Sequence, residues 1–168
     1  MNPELTGSEL PAAGGRGPGP DRPLQASVNV AAPPGRVWSV VSDLRRTGEW
    51  SPECARILAR GQLRQRAWFV GLNHRKRVRW ATVSRIVSFV PDREISWKVV
   101  TNGSVWTYRL EPTETGTRVV ETRETPHGVG AVASAFTRVL LGGQRAHDDE
   151  LEAGMAAGLG RIKGIVER

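Results

Sequence analysis

Trp80, Trp97, Trp106 and Tyr108 sit at matching positions in three neighbouring segments whose apolar residues recur every second place. In an extended strand successive side chains point to opposite faces, so residues of equal parity look the same way. Within 78–86 the set Val78, Trp80, Thr82, Ser84 and Ile86 shares one face, and Arg79 and Arg85 share the other. Ile95, Trp97 and Val99 oppose Lys98, and Trp106, Tyr108 and Leu110 oppose Arg109. Each large ring covers roughly 150–250 Å² when buried. A sheet face carrying this many rings needs a large covering element, or a ligand that shares the covering.

The same period of two extends the pattern. Leu24, Ala26, Val28 and Val30 alternate with polar residues and predict a first strand. Further strands are expected near 54–60, 66–74, 76–90, 94–101, 104–112 and 116–125. Pro91-Asp92-Arg93, Asn102-Gly103 and Glu114-Thr115-Gly116 carry turn chemistry between them. Turns this short join antiparallel neighbours, so the strands predict a meander. Between the first two strands, Pro33-Pro34-Gly35 opens a helix with Val37, Trp38, Val40, Val41 and Leu44 on its apolar face. A second short stretch is interrupted by Gly48 and ends before Pro52, because the residue preceding a proline disfavours the helical region.

After Pro126 the period returns to that of a helix. One helix is expected over 131–141 and a longer one after Gly142-Gly143, with Asp148, Asp149 and Glu150 in its first turn. Leu151, Met155, Leu159, Ile162 and Val166 form a stripe along it, read as a seam against the sheet. Gly154, Gly158, Gly160 and Gly164 lie in the same helix and cost about 1 kcal/mol each relative to alanine. Close backbone approach, room for a guest and compositional drift all remain open as reasons. Residues 1–22, rich in glycine and proline, are expected to be a disordered tail, leaving 23–168 as one domain.

Composition narrows the function classes. No stretch reaches the ~18 apolar residues of a membrane span, and the N-terminus lacks a secretory pattern, so a cytoplasmic protein is expected. Cys54 is the only cysteine, which excludes an intrachain disulfide, and it reads as a small buried hydrophobe. His74, His127 and His147 have no ligand spacing, so no metal is expected. There is no nucleophile elbow and no phosphate-binding glycine loop, and no cofactor is expected. The net charge is +7, densest from Arg56 to Arg85. That run reads either as a solvated outer sheet face that blocks edge pairing or as a surface for an acidic partner. Nucleic acid is not expected, since neither helix-turn-helix nor RNA-binding aromatic patterns are present.

Several segments resemble one family. They are Val37-Trp38-Ser39-Val40-Val41-Ser42-Asp43, Glu49-Trp50-Ser51-Pro52-Glu53-Cys54, Phe69-Val70-Gly71-Leu72-Asn73, Trp106-Thr107-Tyr108-Arg109-Leu110-Glu111-Pro112 and Gly116-Thr117-Arg118-Val119-Val120-Glu121. Together they are similar to the polyketide cyclase/dehydrase group of the START-like (SRPBCC) superfamily, in its actinobacterial branch. The resemblance spans residues 24–168 and departs at Gln65-Arg66-Ala67, where the branch usually has glycine. It implies an α+β helix-grip fold: a curved antiparallel sheet of about seven strands around a long C-terminal helix, with two short helices between the first two strands. It also implies a cavity between sheet and helix that in relatives takes lipids, sterols, polyketides or plant hormones.

Parity places Phe69, Gly71 and Asn73 on the inner face of one strand and Val119, Glu121 and Arg123 on that of the last. The expected ligand-binding set is Phe69, Asn73, Trp80, Ser84, Trp97, Trp106, Tyr108 and Glu121, with Met155 and Leu159 from the helix. Inner-face charges are informative because buried charges are rare unless paired. Glu121 and Arg123 pair with each other or across strands, or form an ordinary ion pair at the sheet's end. Glu53 is expected near the mouth. Three readings follow. The first is a module that binds a small hydrophobic or amphipathic molecule. The second is a cyclase or dehydrase in which Glu121 or Glu53 is the base and Arg123, Tyr108 or Asn73 the hydrogen-bond donor. The third is an interaction protein using its basic sheet face.

Overall fold

The structure is a computed structural model that describes residues 23–125 and 144–168. The tail expected over 1–22 and the helix expected over 131–141 lie outside the described residues. The elements are β1 (Leu24–Val30), α1 (Pro34–Val41), a 3₁₀ helix (Leu44–Glu49), β2 (Cys54–Ala59), β3 (Trp68–Arg75), β4 (Val78–Val90), β5 (Glu94–Val99), β6 (Val105–Thr113), β7 (Gly116–Glu124) and α2 (Gln144–Val166).

All strand pairs are antiparallel, in the order β1-β7-β6-β5-β4-β3-β2. The meander from β2 to β7 follows from the short turns. β1 joins β7, so β1 and β2 occupy opposite edges, and α1 with the 3₁₀ helix spans the distance between them. α2 lies across the inner face, packed chiefly on β1. This is the helix-grip fold.

The stripe Leu151, Met155, Leu159, Ile162 and Val166 is buried along its whole length, in contact with the sheet's core or with Leu24 of β1. The far end of α2 is tied to β1 by polar contacts: Lys163 Nζ donates to the Asn29 carbonyl at 2.7 Å, and the Ala31 amide donates to Glu167 at 2.7 Å. Val37, Val40 and Val41 bury the inner face of α1, while half-buried Trp38 meets Phe89 edge-on at 5.1 Å. Phe89 reaches that face because a bulge between Ile86 and Ser88 shifts the parity of β4.

Four local expectations are corrected. The helix α2 is already formed at Gln144, so Asp148–Glu150 lie within it and are not its first turn. β3 begins at Trp68, because Arg66 takes a left-handed conformation (φ 71°) in the turn before it; this is the point where the family resemblance breaks. The β3–β4 hairpin turns at Lys76, also left-handed (φ 54°), so β4 begins at Val78 and not at 76. Gly48 does not interrupt the second short stretch: the 3₁₀ helix Leu44–Glu49 runs through it, and glycine is needed there because a Cβ would collide with the Ala55 carbonyl.

Candidate functional site

Between the inner sheet face, the 3₁₀-to-β2 segment and the first half of the described α2 lies a cavity of about 450 Å³. Strand register builds its wall. Trp97 of β5 lies directly opposite Trp106 of β6, which lies opposite Arg123 of β7. The two indoles stack nearly parallel (4°) at 6.4 Å between centroids. Phe69 meets Trp97 at 6.4 Å and Tyr108 meets it at 5.7 Å. Arg123 sits with its guanidinium 6.0 Å from the Trp106 ring, a cation–π contact on the cavity wall.

The next row of the same register pairs Tyr108 with Glu121. Both are almost fully buried, at 3% and 6% exposure, and their side chains hydrogen-bond. Trp50 Nε1 donates to the Tyr108 hydroxyl at 3.2 Å. The result is a chain of three groups, indole to phenol to carboxyl, on the lining of the cavity. Burial pushes the Glu121 carboxyl up to about 8 even though the Tyr108 hydrogen bond opposes the shift. Burial, helped by the nearby Glu121 charge, pushes the Tyr108 phenol well above its ordinary value. At neutral pH Glu121 is therefore a neutral acid. With Tyr108 donating to one carboxyl oxygen, its own O–H is left to donate to another acceptor.

Glu53, which also lines the cavity, lies beside Arg75, Arg123 and Glu150. Burial raises its pKa to about 7, with Arg75 and Arg123 opposing the rise and Glu150 adding to it. Arg75 Nε bonds Glu150 at 2.6 Å, joining β3 to α2 beside Glu53. Asn73 donates to the Thr82 hydroxyl at 3.1 Å and to the Gly71 carbonyl at 3.3 Å.

Phe69, Asn73, Trp80, Ser84, Trp97, Trp106, Tyr108, Glu121, Met155, Glu53 and Arg123 all line this one cavity. Leu159 does not: it is on the same helix face as Met155 but one turn further along, where it is 1% exposed and packed in the main core. Glu121 and Arg123 both meet residues of β6, through Tyr108 and Trp106 respectively. Cys54 is a half-buried lining residue whose thiol burial pushes up to about 11. His74 is exposed at the end of β3. Among the described residues no group of three metal-ligating side chains converges.

Sequence reasoning missed Trp50, Ser51, Pro52, Thr47 and Ile57, which also line the cavity, with the Trp50–Pro52 segment packed against α2. The tryptophan before Ser-Pro was legible as a helix end, but its 58-residue reach to Tyr108 was not. It also left open why glycine recurs in α2. Gly154 and Gly158 face the cavity, and a Cβ on them would come 2.9 Å from Pro52 and 3.3 Å from the Trp50 carbonyl. Gly160 and Gly164 have nothing within 4 Å. Two of the four therefore permit close approach, to the Trp50–Pro52 segment and not to the sheet.

Comparison with known proteins agrees with this architecture. A solved polyketide-cyclase-like protein from Corynebacterium glutamicum, Cgl2372, is 28% identical, covers 86% of this chain and 91% of its own, and superposes with a TM-score of 0.58. The di-domain ARO/CYC protein StfQ of the steffimycin biosynthetic pathway is 16% identical with a TM-score of 0.67 over 86% of this chain and 50% of its own length. Protein Ms6760 of Mycobacterium smegmatis is 18% identical with a TM-score of 0.58, over 86% and 90%. At such identities the last two show the fold alone. No curated protein matches the sequence. The profile of the family described as polyketide cyclase / dehydrase and lipid transport matches residues 23–167, and the chain belongs to that family.

Proposed function

We propose that this protein binds a small, mostly apolar molecule bearing at least one acceptor oxygen, with that oxygen held at the Glu121–Tyr108 pair in the cavity. One observation carries the reading: a ring-walled space of about 450 Å³ is lined by a buried carboxyl that is neutral at pH 7 and hydrogen-bonded to a phenol. Apolar walls with a few convergent polar groups are the usual design of a small-molecule site. Lipid-like and polyketide-like molecules have this chemistry, and the family supports both. The proposed setting is the cytoplasm; no described helix is long and apolar enough to cross a membrane.

A second reading, catalysis in the same cavity, is favoured by the pair of carboxyls held near neutrality, Glu53 at about 7 and Glu121 at about 8. An ideal general base or acid has its pKa near the working pH. Here Glu53 removes an acidic C–H proton of a β-ketone, and the neutral Glu121 hydrogen-bonds the enolate oxygen that forms. StfQ, as an ARO/CYC protein, supports this by fold-level analogy only.

Native mass spectrometry of freshly purified protein tests the binding reading. The expected result is a retained organic mass that is lost from a Ser84→Phe variant, whose ring would occupy the cavity. Protein that retains nothing, and takes up no component of a lipid or polyketide extract, would overturn it. For the second reading, the extracted mass is compared before and after incubation with the protein: a loss of water or a ring closure, abolished in Glu53→Gln, supports catalysis.

A further inference from the structure

The outer face of β2, β3 and β4 carries a second organised surface, on the side of the sheet away from the cavity. Residues 54–91 hold nine arginines and lysines and no aspartate or glutamate. Register arranges the outward side chains in rows. Leu58 lies opposite Val70, and Val70 opposite Val83; Val100 joins through its amide hydrogen bond to the Val83 carbonyl at 2.8 Å. This row is aliphatic, and Leu58, Val83 and Val100 are 45%, 40% and 52% exposed. On one side runs Arg56–Leu72–Ala81, and on the other Trp68–Arg85–Lys98. Trp68 is 53% exposed with the Arg85 guanidinium 5.6 Å from its ring centroid.

We propose that this face docks the protein on an anionic lipid bilayer. Three features select that partner. The central row is aliphatic, which gives lipid tails something to accept, and the face offers a single exposed ring, Trp68, where RNA surfaces rely on several aromatic stacking positions. The cations flank the row on both sides, where phosphate headgroups would lie, and each contributes favourably near an anionic surface. Trp68, with its apolar ring and polar edge, suits the interface between the two. A second copy of the chain fits worse, because a two-fold contact through this face would set arginine against arginine. Further across the outer face, arginines are paired with carboxylates: Arg109 with Glu94 and Arg118 with Glu111. The inference stands apart from the cavity reading, since the two surfaces lie on opposite faces of the sheet.

Co-flotation of the full chain with vesicles tests it. One set is pure phosphatidylcholine and the other an equimolar mixture with phosphatidylglycerol. Binding is expected to the mixed vesicles only, to weaken with salt, and to fall about fivefold for each cation removed in Arg79→Ser and Arg85→Ser. Trp68→Ser and Val83→Asp are expected to weaken it at constant salt, while Arg118→Ser leaves it unchanged. All are exposed positions, and circular dichroism checks that each variant folds. Equal binding to both vesicle types, no binding to either, tighter binding to a single-stranded RNA oligomer, or conversion to a dimer blocked by Val83→Asp would each overturn the proposal.

Discussion

The Trp50 indole, which follows the 3₁₀ helix, donates its N–H to the Tyr108 hydroxyl of β6 at 3.2 Å, with both residues buried. That contact joins the segment between the 3₁₀ helix and β2 to the centre of the sheet. It also fixes the donor side of Tyr108, so the phenol's own proton points to Glu121. Four measurements follow from this arrangement and its surroundings.

Tyr108→Phe leaves the Trp50 N–H without its acceptor and Glu121 without its donor. Unsatisfied buried groups cost about 1–3 kcal/mol, so urea unfolding is expected to show a loss of that size. The Glu121 carboxyl is expected to titrate higher than about 8, because the Tyr108 hydrogen bond is what holds it down. Infrared titration of the carboxyl band reads this directly.

Stability is expected to fall as pH rises. Glu121 and Glu53 titrate near 8 and 7 in the fold, against an ordinary carboxyl value of 4.5. Between these limits the folded chain holds protons that the unfolded chain has released, so raising the pH favours unfolding, by up to about 1.4 kcal/mol per pH unit for each group. Below 4.5 both states are protonated and the contribution is complete. Glu121→Gln is expected to flatten the slope, with midpoints close to wild type at pH 5 and higher at pH 9. A parallel slope in the variant would count against a buried, neutral Glu121.

The glycines of α2 separate by position. Gly160→Ala and Gly164→Ala meet open space and are expected to stabilise by about 0.5–1 kcal/mol each. Gly154→Ala brings a methyl 2.9 Å from Pro52, so the same helix gain is expected to be cancelled or reversed. Thermal midpoints of the three single variants make the comparison.

Cys54 is expected to resist alkylation in the folded protein. Burial holds the thiol near 11, so little thiolate exists at neutral pH. Mass spectrometry after iodoacetamide treatment is expected to show modification only when denaturant is present.

The sheet was legible because strand parity is a local property. Ser84 and Ile86 face in and Arg79 and Arg85 face out as alternation requires, and the helix stripe from Leu151 to Val166 is buried. Parity also brought Tyr108, Glu121, Trp97, Trp106 and Arg123 to one face. What escaped are features set by the chain's return from far away. Trp50 reaches Tyr108 because the chain after the 3₁₀ helix packs against Gly158 and Arg161 of α2. Leu159 shares the stripe of Met155 but turns into the core, since adjacent turns of one helix stripe can meet different neighbours. The left-handed turns at Arg66 and Lys76 carry side chains that rarely adopt that conformation, so no glycine or asparagine announced them.

Trp50, Trp80, Trp97 and Trp106 line the cavity, four of the six tryptophans in the chain. Trp38 is packed against Phe89, and Trp68 stands on the far side of the sheet. The molecule thus carries its own optical readout. An occupant entering between sheet and helix changes the emission of the first group, whereas a water-borne quencher reaches Trp68 first. The two faces of one sheet can be interrogated separately, with no label attached.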